Sequence, residues 1–387
     1  MKMIKLTQTL FAGLLLATNL LTGTMAHAQD TIKIGGNLEL SGAAAAYGTP
    51  IAEALQLAVE QRNEAGGLLD GQQLELFITD NQSDLTEAAS VATKLISQDV
   101  VGIIGPTATG VAKAAIPIIS EGKMPTILGA STGDGLTLDE SGNVLEYLFR
   151  VCFEDSFQGL AAGQYATETL EASSAIIITD QALDYSLGLA DSFTERFEAN
   201  GGSIIKTESY TSGDTDFSAI LTSLLGQDFD ILYIPGYYTE TGLIIKQARE
   251  LGITQPIIGG DGYHSKTLIE LAGAENASDI YFTTHFYEGN DDPKTQQFID
   301  DFSAKFGKQP DTFAALGYDA ANLLLDAIEI AGSTDTEAIT QAIGEIENFE
   351  GITGTFSFDD NHNPIKPALM LKLENGEIAS AEEVSAE

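Results

Sequence analysis

Tryptophan is absent from the 387 residues, cysteine occurs once, at Cys152, and 18 lysines and arginines face 57 aspartates and glutamates. Each scarcity excludes something. A single cysteine closes no internal disulfide, so stability has to come from packing. As a catalytic thiol it would need a neighbouring base. Beyond position 28 the only histidines are His264, His285 and His362. None lies in a nucleophile motif, so Cys152 reads as a packed side chain. The same histidines show neither H-E-x-x-H nor another zinc spacing, so no metal is expected. The net charge of −39 gives a surface that repels nucleic acid and anionic lipid, which removes both as partners.

The signatures of nucleotide and hydrolytic chemistry are missing as well. There is no G-x-x-x-x-G-K-[ST] phosphate loop and no G-x-S-x-G elbow. The glycines near the first strand fall at Gly36, Gly42 and Gly48, not in the G-x-G-x-x-G spacing. The chain is therefore expected to be no enzyme, with no catalytic residue and no cofactor.

Long apolar runs are scarce too. The one candidate runs from Leu10 to Leu21, preceded by Lys2 and Lys5 and followed by Ala26-His27-Ala28. A positive start, a short apolar core and a small-x-small site make the layout of a secretory signal peptide, cleaved after Ala28. No later stretch approaches the ~18 consecutive apolar residues of a spanning helix. The expectation is an exported, periplasmic protein. Without the leader's two lysines the charge becomes −41. The acids are scattered along the chain, and such a surface suits high salt, where counterions screen self-repulsion. Easier unfolding in dilute buffer than in molar salt would show this.

What is present is enough apolar content, 43%, for a large core. Residues 29–387 are too many for one ordinary core and suggest two domains. Short β runs alternate with helical stretches. Strands are expected at Thr31–Gly36, Leu74–Thr79, Val100–Ile104, Pro125–Leu128, Ser174–Thr179, Ser203–Glu208, Asp230–Ile234, Pro256–Ile258 and Ile280–Thr283. Helical spacing marks Ile51–Glu64, Leu85–Ser97, Leu183–Ala199 and Leu243–Leu251. Capping boxes are expected from Asp84, Asp155 and Thr334, and Pro50 suits a first helical turn. Alternating βαβα implies α/β architecture with parallel sheets covered by helices on both faces. The rhythm pauses at Leu145–Asp155, Thr283–Asp292 and Gly351–Asp360. Three pauses suggest three crossings between two lobes, each assembled from discontinuous segments.

In open parallel sheets, ligands sit beyond the carboxyl ends of the strands. In the first lobe those ends carry Glu39 to Gly48, Gly105 to Gly110 and Gly129 to Asp134, rich in small residues and hydroxyls. Thr109 opens a helix through Ser120, so its hydroxyl and the nearby N–H groups make a seat for a carboxylate. In the second lobe the ends carry Tyr185, Gly236-Tyr237-Tyr238 and Gly259-Gly260-Asp261-Gly262-Tyr263-His264. Asp261 can pair with an ammonium. Anion seat, ammonium partner and aromatic walls together describe an α-amino acid.

Four segments, Ser41-Gly42…Tyr47-Gly48, Ile104-Gly105-Pro106, Phe149-Arg150-Val151…Asp155-Ser156-Phe157-Gln158-Gly159 and Gly259-Gly260-Asp261-Gly262, resemble the leucine/isoleucine/valine-binding family of type I periplasmic binding proteins. The resemblance runs from Thr31 to about Leu373. It implies two Rossmann-like lobes with three hinge crossovers, closing on an amino acid and serving the permease subunits of an ABC transporter as a monomer. It divides the chain into 29–150 plus 286–354 and 151–285 plus 355–387. The carboxylate seat falls on Ala108 or Thr109 together with Thr132, and the Ala130 carbonyl accepts from the ammonium. Asp261 becomes the acidic partner, where the best-known members carry Glu. Tyr47, Tyr185 and Tyr237 match aromatic wall positions, and His285 and Phe286 are candidate contacts. An aliphatic or branched-chain amino acid is the expected ligand. A ligand-sensing receptor module and a binder of short amides or urea-like solutes are the alternatives.

Overall fold

The computed structural model describes residues 31–386. The expected signal peptide and its cleavage site lie outside them. The first sheet has five strands, β1 (Ile32–Leu38), β2 (Leu74–Asp80), β3 (Gly102–Ile104), β4 (Thr126–Leu128) and β5 (Leu148–Arg150), all parallel in the order β2-β1-β3-β4-β5. The second contains β6 (Ser174–Asp180), β7 (Ser203–Tyr210), β8 (Ile231–Tyr233), β9 (Ile257–Gly259) and β10 (Ile280–Thr284). A small hairpin follows, β11 (Phe349–Gly351) with β12 (Gly354–Phe356). The chain then re-enters the second sheet as β13 (Ala368–Glu374) and β14 (Glu377–Val384), giving the order β14-β13-β10-β9-β8-β6-β7. This is the expected α/β architecture of two lobes with mostly parallel sheets.

Burial follows from position in the sheet. Central strands β3, β4, β8 and β9 are buried at every residue, because helices cover both faces and every side chain meets a core. The edge strands β7 and β14 instead alternate between exposed and half-buried residues along most of their length. Helices Ala45–Glu64 and Thr312–Ala331 pack together so closely that a Cβ on Gly317 would lie 2.8 Å from the Ile51 Cα. The segment between β10 and β11 thus contributes its longest helix to the first lobe's core. No helix among the described residues is long and apolar enough to cross a membrane.

The chain passes between the sheets three times, after β5, after β10 and between β12 and β13. Arg150 ties the first passage to the third. Its buried guanidinium donates from Nε to Asn363 Oδ1 at 2.6 Å, from Nη1 to the Gly133 carbonyl at 2.9 Å, and from Nη2 to Glu154. A guanidinium so enclosed is tolerable only because its donors are matched.

Local expectations needed revision in several places: strand β5 was not among those expected, and the helix expected from Leu243 starts at Tyr238. The first helix starts at Ala45, six residues before Ile51, so Pro50 lies inside it and not at its first turn. Asp155 is not an N-cap: Glu154 occupies that position without a side-chain cap, and the Asp155 carboxylate accepts instead from Gln158 Nε2 at 3.1 Å. The helix near Thr334 is capped one residue later, by Asp335. The hairpin β13–β14 was not anticipated, although Asn375-Gly376, both at positive φ, is the dipeptide of a tight hairpin turn.

Candidate functional site

The strand orders fix where a cleft can form. In the first sheet β1 lies between β2 and β3, and in the second β6 lies between β7 and β8, so the loops beyond these strands diverge to opposite faces. The two divergence points face each other across a small cavity. Lining this space are Tyr47, Ala108, Thr109, Ala130, Thr132, Tyr185, Tyr237 and Asp261, together with Thr107, Gly262 and Phe313. All eight residues singled out in the sequence meet here. Thr107, Gly262 and Phe313 were not among them.

The first-lobe wall is a helix start. Ala108 occupies the N-cap of helix Thr109–Glu121, and its own side chain caps none of the first-turn N–H groups, of which that of Thr109 lies against the Tyr237 hydroxyl. The Thr109 hydroxyl accepts from Gly133 N–H at 3.1 Å, which joins the two first-lobe loops and leaves its own proton to donate. One expectation changes. The backbone N–H of Ala108, considered for the carboxylate seat, already donates to Glu39 at 3.1 Å, as does Thr107 at 3.0 Å. Glu39 is fully buried, and burial raises its carboxyl despite these bonds. The Ala108 N–H is thus already engaged, whereas the Thr109 hydroxyl keeps its proton free to donate on this wall.

The second-lobe wall is a wired carboxylate. Asp261 follows β9 and Gly260 and opens the short 3₁₀ turn Asp261–Tyr263. A Cβ on Gly260 would stand 2.6 Å from the Tyr185 hydroxyl, so only glycine lets the loop come this near. Asp261 Oδ1 accepts from the Tyr185 hydroxyl at 2.8 Å and from Gln158 Nε2 at 3.2 Å. Gln158 Oε1 in turn accepts from Asp261 N–H at 3.2 Å and from the Thr283 hydroxyl at 2.8 Å. Oδ2 takes no hydrogen bond from the described residues. A buried carboxylate with one oxygen bound and one open is prepared for a cationic partner.

Beside it stands a second carboxyl, Asp155. Burial raises it well above the usual carboxylate range against the Thr132 hydroxyl that bonds it, and the Asp261 charge raises it further. Burial thus disfavours the charged form of Asp155, whereas Asp261 at the cavity is the one whose Oδ1 accepts from both Tyr185 and Gln158.

Between the two polar ends lie aromatic faces. Tyr47 stacks on Phe313 at 4.3 Å and meets Tyr237 edge-on at 5.4 Å, while Tyr185 and Tyr237 lie 5.2 Å apart. Two of the three tyrosine hydroxyls are fully engaged. Tyr47 donates to the Gly262 carbonyl at 2.9 Å and accepts from Tyr238 N–H at 3.0 Å. Tyr185 bonds Asp261 and accepts from Gly262 N–H at 3.1 Å. The Tyr237 hydroxyl lies against the Thr109 N–H. What these rings offer the cavity is apolar surface.

The Tyr47 bonds also join the lobes, since its helix belongs to the first and Gly262 to the second. At the mouth, Lys113 and Asp184 form a further cross-lobe pair at 2.6 Å. His285 lies behind Asp261, not in the lining. Phe286 packs with Phe298 and Phe302 in a side cluster away from the cavity. Cys152 is buried with its thiol pushed up to about 12 by burial, which leaves it inert. No group of three or more His, Cys, Asp or Glu among the described residues is placed to hold a metal ion.

The family model of the periplasmic binding proteins matches residues 31–377. The chain belongs to that family. Its members bind solutes and are not enzymes, and the family is a periplasmic one. The chain is 30% identical over 370 residues to the Leu/Ile/Val-binding protein homolog 1 of Brucella abortus, covering 95% of this chain and 97% of that one. Among solved structures it is similar to the branched-chain amino acid transporter substrate-binding protein LivJ from Streptococcus pneumoniae in complex with isoleucine, with 42% identity and a TM-score of 0.87 over 92% of this chain and 100% of that one. The leucine-binding protein LivK from Thermotoga maritima is 38% identical, with a TM-score of 0.84 over 92% of this chain and 99% of that one.

Proposed function

We propose that this periplasmic binding protein captures an aliphatic, branched-chain α-amino acid between its lobes and delivers it to the permease subunits of an ABC transporter. The observation that carries this is the polarity of one cavity: an uncapped helix start with two threonine hydroxyls on one wall, the open oxygen of Asp261 on the other, and aromatic faces between. A carboxylate, an ammonium and an apolar side chain fit these three surfaces in turn. Relatives named for leucine, isoleucine and valine, and a neighbour holding isoleucine, support the same ligand class.

The lobes in this reading comprise 29–150 plus 286–354 and 151–285 plus 355–387, with cleavage of the leader after Ala28. An open monomer meets the ligand with one lobe, and closure around the three passages buries the ion pair from water. The permease then recognises the closed form. Calorimetric titration of residues 29–387 with the standard amino acids, in high salt and after stripping bound ligand by partial unfolding, tests this. Micromolar or tighter binding of leucine, isoleucine or valine is the expected result. Silence across all amino acids, with binding of short amides or urea, would overturn it.

A further inference from the structure

His285 is enclosed on all sides, yet neither ring nitrogen has a hydrogen-bond partner among the described residues. Buried polar atoms left unmatched are uncommon enough to need a reason. The ring stacks on Phe153 of the first passage at 3.6 Å, and Nε2 stands 3.6 Å from Asp261 Oδ2. That is too long for a hydrogen bond but close for two charges. His285 directly follows β10, so it rides on the second passage between the lobes. Its backbone N–H reaches the Thr312 hydroxyl at the start of a first-lobe helix at 3.3 Å.

The charged and titratable surroundings are Asp261 and His264 from the turn after β9, and Lys366 from the third passage. Asp311 caps the helix that begins at Thr312, and Asp155 faces Asp261 from the first. Burial pushes the imidazole down to about 4; Asp261 opposes this, while Lys366 and His264 reinforce it. In the closed arrangement seen here the ring is held neutral.

We propose that closure on a ligand expels a proton from His285, so that the Asp261–His285 pair weakens ligand binding as the solution is acidified. This rests on the amino-acid reading of the cavity. With the cleft open, water reaches the floor formed by the three passages, and an imidazole beside a carboxylate titrates near or above ~6.5. With the cleft closed, the ligand's ammonium takes the open oxygen of Asp261, and a second positive charge behind that carboxylate has neither water nor an acceptor. The closed, liganded state therefore binds fewer protons than the open one. Linkage then makes affinity level above about pH 6.5 and lower below it, by up to ~tenfold per unit. Asp155, raised by burial on closure, would give proton uptake, the opposite sign, so the two contributions separate by variant.

The test is calorimetry of residues 29–387 with L-isoleucine and L-leucine at pH 7.5 and 5.5, each in two buffers of different ionisation enthalpy. It is repeated on His285→Phe, which keeps an aromatic ring against Phe153. Wild type should bind up to ~tenfold more weakly at pH 5.5 than at 7.5, and should release more protons there than the variant, whose affinity should change far less. Should the variant fold poorly by circular dichroism, proton NMR titration of the wild-type histidines decides. One of the three beyond the leader should then lose its titration near neutral pH when ligand saturates. Equal pH dependence in wild type and variant, or a histidine spectrum whose titration ligand leaves unchanged, would overturn the inference alone. Absence of binding at pH 7.5 would overturn the amino-acid reading and the inference with it.

Discussion

The two walls of the cavity are made of different materials, and on the proposed reading each meets one end of the ligand. The first-lobe wall is built from backbone and short hydroxyls: an uncapped helix start, Thr109 bonded to Gly133, and Thr132. Its favourable field comes from peptide dipoles that any sequence of this local shape would supply. The second-lobe wall is built from one buried carboxylate, Asp261, whose Oδ1 accepts from Tyr185 and Gln158. A wall of dipoles spreads its contribution over many groups, whereas a wired charge concentrates it in a few. Single substitutions should therefore be far more damaging on the second lobe than on the first.

Asp261→Ala tests the extreme. On the proposed reading it strands a ligand ammonium in a closed site, at a cost of ~3 kcal/mol or more, beyond a hundredfold in Kd. Calorimetry with L-isoleucine measures it, and retained tight binding would break the comparison at its root. Next comes Tyr185→Phe. Its hydroxyl donates to Asp261 and accepts from Gly262 N–H, so removal unmatches both at once. Loss of a hydrogen bond to a charged group costs about 1.5–3 kcal/mol, so Kd should rise at least ~tenfold with the fold intact by thermal melting. A change under threefold would mean that Gln158 alone suffices to hold the carboxylate.

The same contrast explains what could be read in the sequence. Nine strands of the two sheets declared themselves through β-branched runs and short turns, and the site loops followed from where those strands end. The residues that escaped did so for definable reasons. Phe313 is one apolar residue in an apolar helix, and only the long-range stack on Tyr47 brings it to the cavity. Glu39 and Asp155 were two carboxylates among 57. Nothing local distinguishes an acid that folding will bury from one that stays in water. Burial makes that selection: among the described residues only Glu39, Asp155, Asp180, Glu240, Asp261 and Asp319 are buried acids, and three of these six stand at the cavity or behind its walls. The β14 strand was missed because its solvent-facing residues are acidic and half its pattern is polar, although the Asn375-Gly376 turn marked it.

On the first wall, Thr132→Val is the matched test for Tyr185→Phe. It removes one hydroxyl of similar burial, but the uncapped helix turn and Thr109 remain to receive the carboxylate. The expected cost is ~1 kcal/mol, about fivefold in Kd, smaller than for Tyr185→Phe. An equal or larger loss would show that the Thr132 bond to Asp155, and not the ligand seat, is what the hydroxyl maintains. The two causes separate in Asp155→Ala, which removes the partner of Thr132 and leaves its hydroxyl in place.

The smallest effect is expected at the mouth, where Lys113 and Asp184 bridge the lobes at 2.6 Å but with side chains 48% and 59% exposed. Lys113 comes from the helix whose start lies on the first-lobe wall, and Asp184 from the helix whose second residue is Tyr185. Each therefore reports on closure of its own wall. An exposed pair of this kind contributes ~0–0.5 kcal/mol, and salt screens it. Lys113→Ala should thus change Kd by less than about threefold in dilute buffer and not measurably in molar salt. Since on the proposed reading the ammonium–carboxylate pair inside is shielded from solvent, Asp261→Ala should lose as much affinity in high salt as in low. Equal salt sensitivity of the two variants would mean that water and ions reach Asp261 in the liganded state, and that the second wall is not the enclosed charge its hydrogen bonds describe.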